Sequence, residues 1–150
     1  MIRILQSLCL LFTVSVAYSQ TSITAINITV DSADFFLQKG LQEKQNGRRL
    51  ESLKNFEKAA KYDANSKTIT AELAAAYHDL RKYGNAREMY IKLVTLGDES
   101  PATYKQLMLL SYQMKQNDDV IVYANKLKKA DPSEKVNFYI GKVNYDTDNY

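Results

Sequence analysis

Residues 67–100, KTITAELAAAYHDLRKYGNAREMYIKLVTLGDES, carry two apolar stripes at helical spacing with a turn between them. Ile69, Leu73, Ala76, Tyr77 and Leu80 fall on one face of a first helix, and Ala86, Met89, Tyr90, Leu93 and Val94 on one face of a second. Tyr83-Gly84-Asn85 supplies turn chemistry between them, and Gly97 is placed to stop the second helix in a left-handed conformation. The stretch predicts a helical hairpin.

The same pattern returns on either side with a period of 34. Phe56, Tyr90 and Ala124 are related by it, as are Ser52, Ala86 and Val120, and Ala59, Leu93 and Leu127. The hairpin ends also align, at Tyr62-Asp63-Ala64, Leu96-Gly97-Asp98 and Ala130-Asp131-Pro132. Leu50, Leu53, Phe56, Ala59 and Ala60 form an apolar stripe before the decisive stretch, and Val120, Tyr123, Ala124 and Leu127 form one after it. Asn46-Gly47 and Gln116-Asn117-Asp118 read as further turns, and Ser100-Pro101 as a cap followed by proline in the first helical position.

Residues 33–150 resemble the tetratricopeptide repeat, through the small residue Ala74 and the large residues Leu73, Tyr77, Tyr83 and Tyr90 of the second unit, and Pro132 at the end of the third. The resemblance implies an all-α, right-handed α-solenoid of stacked hairpins: units 33–66, 67–100 and 101–134, and the first helix of a fourth over 135–150. The first unit departs from the pattern at Lys39 and Glu43, and the third puts Met108, Val120 and Leu127 where small residues are usual. The fourth begins with Phe138, Gly141 and Tyr145 and has a frame uncertain by one residue; its helix is expected over 134–146.

In such an array the first helix of each unit lines the inner wall, so the outward positions of those helices are the candidate binding residues. They are Leu37, Gln38 and Leu41 in the first unit, Ala71, Glu72, Ala75 and His78 in the second, and Lys105, Gln106, Leu109 and Tyr112 in the third. Mixed apolar and charged character fits an extended or helical peptide with apolar anchors. Leu37, Leu41, Leu109 and Tyr112 have a second reading, as side chains partly covered by neighbouring helices. Relatives that grip a carboxy-terminal acid use Lys, Asn and Arg at groove positions occupied here by Leu37, Leu41, Glu72 and Ala102, so that activity is not carried over.

Residues 1–19 read as a secretory signal: Arg3 near the start, an apolar run from Ile4 to Ala17, and small residues at Ala17 and Ser19 before Gln20. The run is too short for a membrane span. Cleavage removes Cys9, the single cysteine, and Arg3, the one charged residue of the segment, which takes the net charge from +3 to +2. The junction resembles those of Bacteroidota, and the expected destination is the periplasm, the outer-membrane surface or the exterior. Residues 20–31 read as a tether, with strand-spaced Ile26, Ile28 and Val30 giving a docking hook as the alternative.

Twenty Lys and Arg against 17 Asp and Glu fall far short of a nucleic-acid-binding excess. With one His and one Cys there is no metal set, and no nucleophile elbow or phosphate-binding glycine loop is present, so neither catalysis nor a cofactor is expected. Membrane association is expected only through a partner. Most tyrosines sit at repeat-core positions, which reads as packing rather than carbohydrate stacking, and Lys126, Lys128 and Lys129 read as a solvated outer face. The functional expectation is a protein-interaction scaffold of the bacterial envelope; the alternative is the docking or sensing arm of a larger envelope protein continuing beyond residue 150.

Overall fold

The computed structural model describes residues 32–148, which hold seven helices and no strand. Helix α1 covers 32–45. It is followed by α2 (Arg49–Tyr62), α3 (Lys67–Asp79), α4 (Tyr83–Thr95), α5 (Pro101–Gln113), α6 (Asn117–Ala130) and α7 (Asn137–Asp148). From α2 onward the extensive packing is between chain neighbours, each helix lying on the one before and the one after it. That is the packing of a solenoid. Residues 1–19, expected to be a signal, and 20–31, expected to be a tether, lie outside the described residues.

Local chemistry sets the helix boundaries. Ser66 and Ser100 cap α3 and α5, each hydroxyl accepting the amide three residues on, from Ile69 and from Thr103 at 3.3 Å. Asp63, Asp98 and Asp131 each accept the amide two residues on, at 3.0–3.1 Å, and so turn the chain between hairpins. The hydroxyl of Thr103 also donates to Asp98, and this bond leads the contacts that hold the Asp98 carboxyl below the usual carboxylate range. The turn at Asp131 delays the last helix, which begins at Asn137 rather than at 134.

Within each hairpin the turn is the same backbone device three times. Gly47, Arg81 and Lys115, 34 residues apart, have positive φ of 73°, 58° and 56°. The following amides of Arg48, Lys82 and Gln116 reach back to the carbonyls of Glu43, Tyr77 and Ser111, each at 2.9 Å. Tyr83-Gly84-Asn85 is therefore not the turn: α4 has begun at Tyr83, and Gly84 lies inside it. Asn117 and Asp118 likewise open α6. One left-handed residue suffices to reverse the chain, and Arg81 and Lys115 adopt it where glycine would cost less.

Ala59, Leu93 and Leu127 are enclosed, and so are Ser52, Ala86 and Val120, so the period of 34 marks equivalent slots in three hairpins. One apolar cluster gathers Ala33, Leu53, Phe56, Ala59, Ile69, Leu73 and Ala76. A second gathers Tyr104, Leu107, Met108, Val120, Ala124, Leu127, Val136 and Val143. Burying a Leu or Phe contributes about 1.5–3 kcal/mol, and neither cluster belongs to one hairpin alone. Tyr77 and Tyr90 are half-buried against the first and second clusters. Burial, together with donation of its hydroxyl to Glu57 at 2.9 Å, pushes the Tyr77 phenol up to about 12. Leu50 leaves the expected stripe and is exposed. Glu43 is tolerated in the first unit because Arg48 pairs with it at 2.8 Å.

Gly40 shows how tightly the first hairpin closes. A Cβ there would lie 2.4 Å from the ring of Phe56, and the Gly40 carbonyl accepts the buried Ser52 hydroxyl at 2.9 Å. Gly84 has open space around it and an ordinary helical backbone. The two glycines should respond oppositely to alanine in urea unfolding. Gly40→Ala is expected to destabilise by roughly 1–3 kcal/mol through overpacking, and Gly84→Ala to stabilise by about 0.5–1 kcal/mol through helix propensity.

Candidate functional site

The first helices α1, α3 and α5 present the outward positions singled out in the sequence, and the structure divides them into three kinds. Leu37, Leu41, Leu109 and Tyr112 are half-buried and serve the core as well as the wall. Leu37 and Leu41 pack on the first cluster, and Leu109 and Tyr112 on the second. Tyr112 also meets the ring of Tyr139 edge-on, with centroids 5.4 Å apart. Ala71, Gln38 and Lys105 are exposed. Glu72, Ala75, His78 and Gln106 are half-buried.

The charges of this wall are largely tied to one another. Lys44 of α1 donates to Glu72 of α3 at 2.7 Å, bridging two successive first helices. Lys105 donates to Glu134 at 2.7 Å, which pushes the Lys105 ammonium up from its ordinary value. Gln38 donates to Asp34 at 3.3 Å. The His78 ring lies 5.7 Å from that of Tyr83, tilted by 57°. On the second helices, Arg87 of α4 pairs with Asp119 of α6. Lys44–Glu72 and Lys105–Glu134 lie at the surface, where such pairs orient side chains more than they stabilise the stack.

What is left open at the centre is small and apolar. Ala71 and Ala75 lie one turn apart on α3, the first exposed and the second half-buried. Among the described residues no group of three or more His, Cys, Asp or Glu could hold a metal ion. No helix among them is long and apolar enough to cross a membrane.

Among the described residues two clefts lie beside this centre, and each takes in one wall residue already marked in the sequence, Gln38 and Tyr112. One, of about 600 Å³, runs along α1 and is lined by Asp34, Phe35, Gln38, Lys39, Gln42 and Glu43. The other, of about 1000 Å³, lies between the α5–α6 turn and α7. It is lined by Tyr112, Gln113, Lys115, Asn117, Lys142, Tyr145, Asp146 and Thr147. Tyr112 is the lining residue that the sequence already marks; Lys115, like Arg81, is a cation at the repeat position where Gly47 stands in the first hairpin.

No family model and no curated protein matches the sequence. Solved structures do resemble the fold. The first tetratricopeptide domain of Spaghetti (RPAP3), bound to the HSP90 peptide SRMEEVD, superposes with a TM-score of 0.66 at 15% identity, covering 79% of this chain and 94% of that one. YrrB, described as having an unusual peptide-binding site, gives 0.66 at 16% identity over 81% of this chain and 63% of its own, so this chain spans less than two thirds of it. MamA of Desulfovibrio magneticus RS-1 gives 0.66 at 20% identity over 77% and 66%. These likenesses establish the fold as a tetratricopeptide-repeat solenoid.

The double duty of the wall leucines can be measured. Leu109→Glu is expected to lower stability by roughly 2–5 kcal/mol, because it removes packing from the second cluster and places a carboxylate beside it. Ala71→Glu, on an exposed helical position, is expected to stay within about 0.5 kcal/mol of the parent. Urea unfolding of the two variants checks both.

Proposed function

We propose that this chain is a protein-interaction scaffold that holds a peptide or protein partner against the wall made by α1, α3 and α5. One observation carries the reading: the exposed Ala71 and the half-buried Ala75 leave an open apolar strip at the centre of the wall, while the flanking charges Lys44, Glu72 and Lys105 are already paired. A strip of this kind favours a partner with apolar anchors and gives little to a highly charged one. The peptide bound by the RPAP3 domain and the peptide-binding site of YrrB support a peptide ligand on this fold. The role assigned requires neither a reacting group nor a cofactor.

We place this scaffold outside the cytoplasm, in the periplasm, at the outer membrane or beyond it, on the strength of the signal pattern in residues 1–19. The second reading, a docking or sensing arm of a larger envelope protein, is favoured by α7, where Phe138 and Tyr145 are 67% and 69% exposed. A side chain of that size at the surface fits a face that another unit covers.

A photo-crosslinking amino acid at position 71 is expected to capture a discrete partner in envelope extract, and the same group at Asn125 on the opposite helix layer is expected to capture none. Equal capture at both positions would remove the wall assignment. For export, mass spectrometry of the protein expressed in a Gram-negative host is expected to find a mature chain starting at Gln20 in the envelope fraction. A chain retaining Met1 in the cytoplasm would refute it.

A further inference from the structure

Three lysines of the stack are already engaged by oxygen acceptors. Lys44 and Lys105 are paired with carboxylates, and Lys67 donates to the Gly97 carbonyl at 3.1 Å. On the outer layer, Lys126 sits over the rings of Tyr104 and Tyr123 at 5.7 and 5.8 Å. Lys115 and Lys142 differ from these: neither side chain has an ion pair or hydrogen bond among the described residues, and both line the cleft of about 1000 Å³ between the α5–α6 turn and α7. Asp146 is the one carboxylate in that lining, so the cleft carries a net positive charge.

The arrangement is fixed on the Lys115 side. Its left-handed backbone is locked by its own amide on the Tyr112 carbonyl at 3.1 Å and by the next amide on Ser111 at 2.9 Å. The side chain of Lys115 therefore leaves a rigid turn, and Tyr112, held edge-on by Tyr139, walls the cleft beside it. Gly47 fills the corresponding place in the first hairpin at no steric cost, whereas lysine here accepts the strain of positive φ. Gln113 and Asn117 add amide donors to the same lining.

From this we infer that the cleft is a subsite for an acidic segment of a peptide partner, whose carboxylates pair with Lys115 and Lys142 while Tyr112 and Tyr145 receive the adjoining apolar portion. The inference rests on the scaffold reading, and it deepens that reading by giving the partner a charge: apolar where it crosses Ala71 and Ala75, acidic where it reaches α7.

The test uses the full chain and a capped hexaglutamate peptide as probe, with capped hexaglutamine as control, in nuclear magnetic resonance titrations at low salt. Hexaglutamate is expected to give saturable shifts at Lys115, Asn117 and Lys142 that fade as salt is raised, and hexaglutamine none. Lys115→Gly and Lys142→Gln are each expected to weaken the binding about threefold. Lys115→Gly is also expected to raise the melting temperature by about 3 °C, since it relieves the left-handed strain. A variant that folds better and binds worse separates recognition from folding. Unchanged affinity in both variants, or shifts centred on Lys126, Lys128 and Lys129, would overturn the assignment. A null titration with the position-71 cross-link retained would overturn the cleft and leave the wall standing.

Discussion

A helical hairpin has more apolar surface than it can hide within itself, and the rest of this structure follows from that constraint. The first cluster draws on α1, α2 and α3, and the second on α5, α6 and α7, so neither closes without helices from two successive hairpins. Stability is consequently shared along the array. The repeated slot of Ala59, Leu93 and Leu127 is where this sharing is most regular, although its side chains differ in volume. Larger occupants in the third hairpin, Met108 and Val120, are enclosed as fully as Ala74 and Ala86 in the second.

Sharing the core has a consequence for recognition. A side chain on the wall of a thin, two-layered stack is never far from the interior, so Leu37, Leu41, Leu109 and Tyr112 are drawn inward and only part of each faces outward. The centre of the wall is left to the small residues of α3. Charge follows the same economy of space: Lys44 reaches across to Glu72 and Lys105 to Glu134, which ties neighbouring elements together and neutralises groups that would otherwise meet a ligand. Lys115 and Lys142 lie outside these pairs and share one cleft.

Backbone geometry adds a second layer of information. Three turns with one hydrogen-bonding pattern carry three different residues at the left-handed position, Gly47, Arg81 and Lys115. Glycine there is explained by conformation alone. A basic side chain held on a turn this rigid is delivered to a defined place, at a cost in strain of about 1 kcal/mol, and in the third hairpin that place is the mouth of a cleft.

Hairpins, their period and the cap at Ser100 were legible in the linear pattern, because helix periodicity and a capping hydroxyl are local properties of a few consecutive residues; the equivalent cap at Ser66 was passed over. The left-handed residues were misread at Tyr83-Gly84-Asn85, since a glycine advertises a turn even where the hydrogen bonds close one residue earlier, at Lys82. Partial covering of Leu37, Leu41, Leu109 and Tyr112 stood in the linear pattern only as one of two readings, and where a cleft opens could not be read from it at all. Leu41 and Ala71 occupy comparable outward positions, yet one is claimed by a cluster and the other is not; the lining of the large cleft joins residues 112–117 to residues 142–147. Both depend on how helices distant in the chain pack against each other, and that is settled only when the stack closes.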